Sequence, residues 1–397
     1  GKKSIGNAIY QAGVALMGSV PPWGILTGVR PAKISEEYIR QGLDYSDLPD
    51  ALERDYHVTE PKSKLLTEIT KVEMKAFSLA KPDTCSLYVS IPFCPSKCAY
   101  CSFVSYATKN LLSLIPEYLD RLICDIRETA LRIKESGKRI ITVYVGGGTP
   151  SILDAEQIKR LLFEINSVVD EKSLLEFTFE AGRPDTITKE KLDAIVSYNV
   201  NRTSINPQTL NDKVLLKIGR KHTAEDFYRA YDIARSSGIK YINTDLIAGL
   251  PGDSFESFRD TVDIISGMKP DNVTVHTFSA KRAAEFVTSQ NRENVIYSYT
   301  GGDAGLSVDY SQKRLSDCGY EPYYIYRQKN TVGNLENVGF CLPGSEGLYN
   351  IFMMEELHDI YAVGAGAVTK ILDTQNNKIN RIFMPKYPFE YLHNDNQ

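Results

Sequence analysis

The stretch Cys94-Pro95-Ser96-Lys97-Cys98-Ala99-Tyr100-Cys101 puts three thiols at C-x3-C-x2-C spacing. It follows an apolar run, Leu87 to Phe93, that reads as a strand leading the chain into a tight loop. Thiolates are soft ligands that suit zinc or an iron–sulfur cluster. A structural zinc site is usually closed by four protein ligands in two short-spaced pairs, whereas this loop offers three cysteines and no histidine. A 4Fe–4S cluster held by three cysteines leaves one iron open to a small molecule, as a reaction centre requires. The spacing favours that cluster, with a zinc knuckle or a reduced thiol group as the alternatives.

Such a loop needs a frame. From residue 85 the sequence alternates strand and helix patterns, with strands predicted at 86–92, 140–145, 175–180, 201–206, 240–247 and 272–278. Helices are predicted at 115–136, 155–168, 188–198, 223–237 and 254–267, the first with Leu119, Leu122, Ile123, Ile126 and Ala130 on one stripe. This alternation implies an α/β fold with a parallel sheet, and six units make a partial (β/α)6 TIM-like barrel rather than a closed one. Residues 1–80 read as an N-terminal helical segment anchored by Trp23, residues 81–285 as the barrel, and residues 286–397 as a smaller C-terminal region closing the barrel mouth. Within that last region a helix is expected at 303–317 and a strand at 322–327, followed by a Gly-rich loop carrying Cys341.

The polar and glycine-rich residues fall at the predicted carboxyl ends of the strands, where barrels of this kind keep their chemistry. They are the three cysteines, Gly146-Gly147-Gly148-Thr149, Glu180, Gln208, Asp245 and Ser279-Ala280-Lys281-Arg282. A glycine run lets backbone approach a ligand closely. Glu180 can accept hydrogen bonds from an amine or ribose. Arg220 can hold a carboxylate in a fork geometry. Asp245 extends the same rim; it is costly to bury unpaired, and a structural pairing with a residue such as Arg202 is the alternative to a role in the site. His222 and His276 are the histidines expected near the site, each read first as a rim or core residue.

The chain has 397 residues, 42% hydrophobic and 24% charged, with a net charge of −4, which gives no reason to expect a nucleic-acid partner. No apolar run approaches a membrane span, and no signal peptide is evident. Seven cysteines, an odd number, suit a reducing cytoplasm better than a disulfide framework. Cys85, Cys124, Cys318 and Cys341 are expected to be small buried hydrophobes. The leading Gly1-Lys2-Lys3 is consistent with a trimmed start.

The cysteine octet with its Tyr-x-x-Ile-Pro-Phe-Cys lead-in resembles the radical S-adenosylmethionine (SAM) superfamily. Tyr88–Cys101, Gly146–Ser151, Arg202–Gln208, Asp245–Pro251 and Gly364–Ala367 together resemble the oxygen-independent coproporphyrinogen III oxidase family. Trp23–Arg30, Glu180–Asp185 and Tyr326–Asn330 with Gly333–Gly339 look most like its HemZ-type branch. The resemblance implies a 4Fe–4S cluster on Cys94, Cys98 and Cys101 that cleaves SAM. It implies SAM contacts from Tyr88, Gly146, Gly147, Gly148, Thr149, Glu180, Gln208, Arg220, Asp245, Ser279 and Val368. It further implies oxidative decarboxylation of two propionates of coproporphyrinogen III to vinyls, with an electron donor such as flavodoxin or ferredoxin. Lys281, Arg282, Arg327 and Lys329 are the expected contacts to the substrate carboxylates.

Two departures bear on function. Phe103 stands where the well-studied oxidase branch has a fourth cysteine, a replacement shared with the heme chaperone branch. The His-Asn-x-x-Tyr-Trp motif of both those branches is absent, and Arg327-Gln328-Lys329-Asn330 occupies that region. A heme-binding or heme-transfer protein, or a radical SAM enzyme that opens heme, are the alternative functions.

Overall fold

The computed structural model describes residues 2–101, 105–279, 302–328, 331–373, 376 and 378–393. The six predicted strands form as β1 (Thr84–Ile91), β2 (Arg139–Gly147), β3 (Glu176–Glu180), β4 (Arg202–Ser204), β5 (Tyr241–Ala248) and β6 (Asn272–Thr277). They lie side by side in chain order, all parallel. The crossover helices are Ile115–Glu135, Ala155–Val168, Lys189–Val196, Ala224–Ser236 and Phe255–Met268, within a residue or two of the expected bounds.

Period-two alternation sorts the strand residues. Leu87, Val89 and Ile91 of β1, Val143 and Val145 of β2, and Phe177 and Phe179 of β3 are fully buried among the apolar core residues. The register puts Tyr88 opposite Tyr144 and that residue opposite Thr178, so the intervening residues share the other, interior face. That face also carries Glu180, Asn243, Asp245 and His276. An apolar outer face packs under helices while a polar inner face is left for a ligand.

The C-terminal strands extend this same sheet at both ends. β7 (Glu321–Arg327) and β8 (Glu336–Cys341) continue it beyond β6, and β9 (Asp359–Val363), β10 (Val368–Asp373) and β11 (Lys378–Phe383) continue it beyond β1. The result is one sheet of 11 strands with β11 and β7 as its edges. β9 is parallel to β1, and β8 is antiparallel to β6.

The C-terminal region is expected to close the mouth; among the described residues, one of its segments, residues 345–349, lies at the opposite end. Arg202, at the amino end of β4, donates to the carbonyls of Ser345 and Glu346, both at 2.9 Å. The Asn272 amide donates to Ser345 at 2.8 Å, and Glu176 accepts from the backbone N–H groups of Leu348 (2.8 Å) and Tyr349 (3.1 Å). Glu176, Arg202 and Asn272 all begin strands, so residues 345–349 seal the foot. The helix that follows, Leu348–Glu355, sends Tyr349 up against Tyr144, with ring centroids 4.5 Å apart.

The N-terminal segment is helical at Lys2–Met17, Ala32–Arg40, Leu48–Tyr56 and Glu60–Phe77. Trp23 is its anchor, as expected. The indole N–H donates to Glu336 at 2.7 Å, and Glu336 also pairs with buried Lys62 at 2.7 Å. Removing one member of such a buried pair costs about 3–5 kcal/mol, because the other charge is stranded. Two cysteine expectations change. Cys124 is exposed on the solvent side of helix Ile115–Glu135, and Cys341 ends β8 rather than lying in a loop. Cys85 and Cys341 are buried and Cys318 is half-buried.

Candidate active site

β1 ends at Ile91, and the cysteine loop begins directly above the carboxyl rim. Its backbone is tied down at both ends. The Cys94 N–H donates to Tyr106 at 3.0 Å, the Ala99 N–H to Ile218 at 3.1 Å and the Cys101 N–H to Cys98 at 3.1 Å. Cys94 and Cys98 are buried and Cys101 is half-buried. Among the described residues no three His, Cys, Asp or Glu side chains converge on a single ion, so the thiols are judged by their surroundings.

Those surroundings are cationic. Arg183, buried at the end of β3, points Nη1 at Cys98 Sγ (3.6 Å) and at the Ser96 carbonyl (3.3 Å). Its other nitrogens donate to Ser96 Oγ at 3.0 Å and to both Asp185 oxygens at 3.0 and 3.1 Å. Arg220, also buried, donates to Tyr100 Oη at 2.9 Å and to the Gly182 carbonyl at 3.2 Å. Thr149 Oγ1 lies 3.3 Å from Cys94 Sγ. Burial pushes the Cys94 thiol up, and the Thr149 hydroxyl pulls it back. Two guanidiniums beside one loop stabilise negative charge that burial alone would penalise.

Beside the loop runs Gly146-Gly147-Gly148. The Gly148 N–H donates to the Ile91 carbonyl and the Thr149 N–H to the Phe93 carbonyl, both at 2.8 Å. A Cβ on Gly148 would stand 2.6 Å from the Phe93 oxygen, and Gly147 has a φ of +110°. Only glycine gives this close, left-handed path.

The interior below is polar and buried. Tyr144 donates to Glu180, and burial pushes the Glu180 carboxyl up to about 7, with the Asp245 charge adding and the Tyr144 and Gly147 hydrogen bonds subtracting. Asp245 is held by Asn206 (2.8 Å) and Asn243 (2.7 Å), with His276 Nε2 at 3.8 Å. Arg202 is therefore not its partner; its place at the foot commits it to Glu176 and residues 345–346. His276 Nδ1 lies 3.0 Å from Tyr326 Oη. His222 is buried beside Arg220, and burial chiefly pushes its imidazole down to about 4, so it is neutral. Two buried oxygens of this interior, Ser204 Oγ and Gln208 Oε1, have no hydrogen-bond partner among the described residues. Gln208 takes a φ of +70°, locked as its N–H donates to Asp245 at 3.0 Å and its carbonyl accepts from Ile247 at 2.9 Å.

The structure thus brings together Cys94, Cys98, Cys101, Gly146–Thr149, Glu180, Gln208, Arg220 and Asp245. Tyr88 lies mid-strand on the same interior face, beside the Tyr144–Tyr349 pair, with ring centroids 6.1 and 6.3 Å from theirs. Ser279 pairs with Thr331 just past β6. Val368 opens β10, after a turn whose Ala365 carbonyl accepts from Ser90 at 2.9 Å. Arg327 ends β7 with its guanidinium donating to Leu26 at 2.8 Å and to Asn334 at 3.2 Å. Lys281, Arg282, Lys329 and Phe103 lie outside the described residues. Sequence reasoning gave no role to Arg183, Tyr144, Asn206 or Ser204; the Glu180-Ala181-Gly182-Arg183 strand end was the one available signal for the first.

Residues 88–265 match the radical SAM superfamily. The oxygen-independent coproporphyrinogen-III oxidase-like protein HemZ of Bacillus subtilis is 39% identical over 397 residues, covering 98% of this chain and 78% of that protein. The chain belongs to the radical SAM oxygen-independent coproporphyrinogen III oxidase family, in its HemZ-type branch. The heme chaperone HemW of Lactococcus lactis is 32% identical over 73% of this chain and 70% of that protein. Escherichia coli coproporphyrinogen III oxidase (HemN) shares the fold, with a TM-score of 0.57 over 78% of this chain and 73% of that one at 22% identity.

This radical SAM family implies a 4Fe–4S cluster and SAM. The donor set fits the cluster: three thiols on one pinned loop, with Arg183 and Arg220 to offset their charge. The glycine path and the two unpartnered oxygens of Ser204 and Gln208 fit a polar small molecule lying alongside. No described helix is long and apolar enough to cross a membrane.

Proposed function

We propose that this chain oxidatively decarboxylates two propionates of coproporphyrinogen III to vinyls, giving protoporphyrinogen IX. The observation that carries the reading is the likeness to HemZ over 98% of the chain, including the N-terminal segment. Cys94, Cys98 and Cys101 hold the cluster. Gly146–Gly148, Glu180, Gln208 and Asp245 hold SAM, and Ser204 lies within reach of it. The bound pair supplies abstraction of one hydrogen atom per propionate; each side chain then loses CO2 and one electron to an acceptor. The protein contributes a buried, polar interior: Glu180 would accept from an amine or ribose of the bound ligand, and the Tyr144 hydroxyl fixes the orientation of that carboxylate.

Anaerobic incubation of reconstituted protein with SAM, a strong reductant and coproporphyrinogen III tests this. Loss of two CO2 units in step with 5′-deoxyadenosine formation supports it. Deoxyadenosine without decarboxylated product rejects the substrate. Tight heme binding with no SAM-dependent product would favour the second reading, a heme-binding protein, which the HemW likeness and the Phe103 replacement support.

Two further outcomes follow from the SAM assignment. Gly148→Ala forces the loop off β1, since the added carbon meets backbone oxygen at 2.6 Å. SAM affinity falls at least about tenfold and stability by about 1–3 kcal/mol, read by calorimetry and thermal melting. Binding is also pH-dependent. A carboxyl pushed up to about 7 is protonated below that value, and a cationic ligand prefers the ionised form. SAM affinity therefore rises with pH and levels off above 7, dropping roughly tenfold per pH unit below it. Titrations at several pH values check this, and Glu180→Gln flattens the profile.

A further inference from the structure

The two edges of the sheet do not meet. A cleft of about 590 Å³ lies between them, with β7 on one side and β10 and β11 on the other. That volume is in the range of small-molecule sites. Four cations line it: Arg30 from the N-terminal segment, Arg327 from the end of β7, Lys370 from β10 and Arg381 from β11. Met353, Met354 and Tyr326 supply an apolar floor.

The charges are out of balance. Among the described residues lining the cleft, Glu356 is the one acid, and it is already shared by Arg30, by Arg381 at 3.5 Å and by Lys33 at 3.4 Å. The Lys370 side chain makes no hydrogen bond or ion pair among the described residues. Burial, then Glu356 in the opposite sense and the Arg381 and Arg30 charges, act on its ammonium, with a net push downward. Arg327 Nε is buried without a partner, while its guanidinium lies 5.4 Å from the centre of the Trp23 ring. Among the described residues that line the cleft, cations outnumber the acid. The cleft also leads inward, because Tyr326 of the floor reaches His276, which in turn faces Asp245.

A flat macrocycle edged with carboxylates has the matching chemistry. We propose that this lateral cleft holds the propionate carboxylates of the tetrapyrrole, with Arg30, Lys370 and Arg381 as the anchoring cations. The assignment rests on the tetrapyrrole reading above but not on turnover. It also gives the N-terminal segment a role. The Arg327 N–H donates to the Val29 carbonyl at 2.8 Å, so the segment is fastened beside the end of β7 and carries Arg30 to the cleft.

The test is equilibrium binding of coproporphyrin III, the air-stable oxidised ring with four propionates, to the reconstituted full chain under anaerobic conditions. Lys370→Gln should weaken binding about tenfold and Lys370→Gln/Arg381→Gln about a hundredfold, as expected for lost charge-assisted bonds. Affinity for the tetramethyl ester, which has the same ring without charge, should not change. Lys33→Gln, outside the cleft lining, should bind coproporphyrin as the parent does. Melting temperature and SAM affinity report whether the double variant folds; if it does not, Lys370→Gln, which breaks no bond in the free protein, decides alone. Unchanged coproporphyrin affinity in the variants, or an equal loss for the ester, overturns the cleft assignment. Charge-dependent binding here without decarboxylated product would leave the cleft standing and reject only the decarboxylase.

Discussion

Cys98→Ala, reconstituted anaerobically with iron and sulfide, retains almost none of the roughly four irons per chain that a 4Fe–4S cluster brings. Its visible charge-transfer absorption disappears and SAM cleavage falls to background. The fold survives, because the loop is held by backbone bonds that do not need the thiol: Ala99 N–H to Ile218 and Cys94 N–H to Tyr106. Far-ultraviolet circular dichroism and melting temperature therefore stay close to those of the parent. Cys124→Ala is the natural control. That thiol is exposed on the far side of a crossover helix, and its removal leaves iron content unchanged. Iron and colour retained in Cys98→Ala would mean that the three cysteines do not hold the metal.

Arg183→Met makes the cluster harder to reduce. The guanidinium stands 3.6 Å from Cys98 Sγ, and the side chain is 3% exposed, so water screens little of its charge. At an effective dielectric near 20, a unit charge roughly 6 Å away interacts by about 3 kcal/mol, on the order of 100 mV for a one-electron couple. The reduction potential should fall by about that much, measured by redox titration with spectroscopic detection. The substitution also strands Asp185, which Arg183 binds through two nitrogens, and should cost about 3–5 kcal/mol of stability. Arg183→Met/Asp185→Asn separates the two effects. Stability recovers in part, and the potential rises only part of the way back, because the more distant Asp185 charge is lost as well. An unchanged potential in both variants would show that Arg183 only braces the loop.

Much of this architecture was legible without coordinates, for a local reason. Each strand and crossover helix carries its own periodicity, and a parallel sheet brings all carboxyl ends to one rim, so the glycine run, Glu180 and Asp245 could be placed together. What escaped was non-local. Nothing near Arg202 indicates that it reaches Ser345, 143 residues later, or that Asp245 is held by Asn206. β8 was read as a loop because glycines interrupt it. Gly339 is required there because a Cβ would fall 1.9 Å from a carbon of the Tyr324 ring, on the neighbouring strand. Arg183 was visible as a letter in a motif but not as a neighbour of Cys98. The cleft draws on residues 30, 327, 370 and 381, a set that no window of sequence unites.

The order in which the chain leaves the ribosome makes the foot and the β1–β9 pairing consequential. β1, which ends at the three cysteines, emerges early, yet its neighbour on one side is residues 359–363. At about 5–20 residues per second, that strand arrives on the order of tens of seconds later. Until then an apolar strand edge and three thiols stand open, and Glu176 and Arg202 lack the segment that will seal them in. The nascent chain is therefore most vulnerable to oxidation and to edge-to-edge aggregation before residues 359–363 are made, and loading of metal in that interval would compete with both.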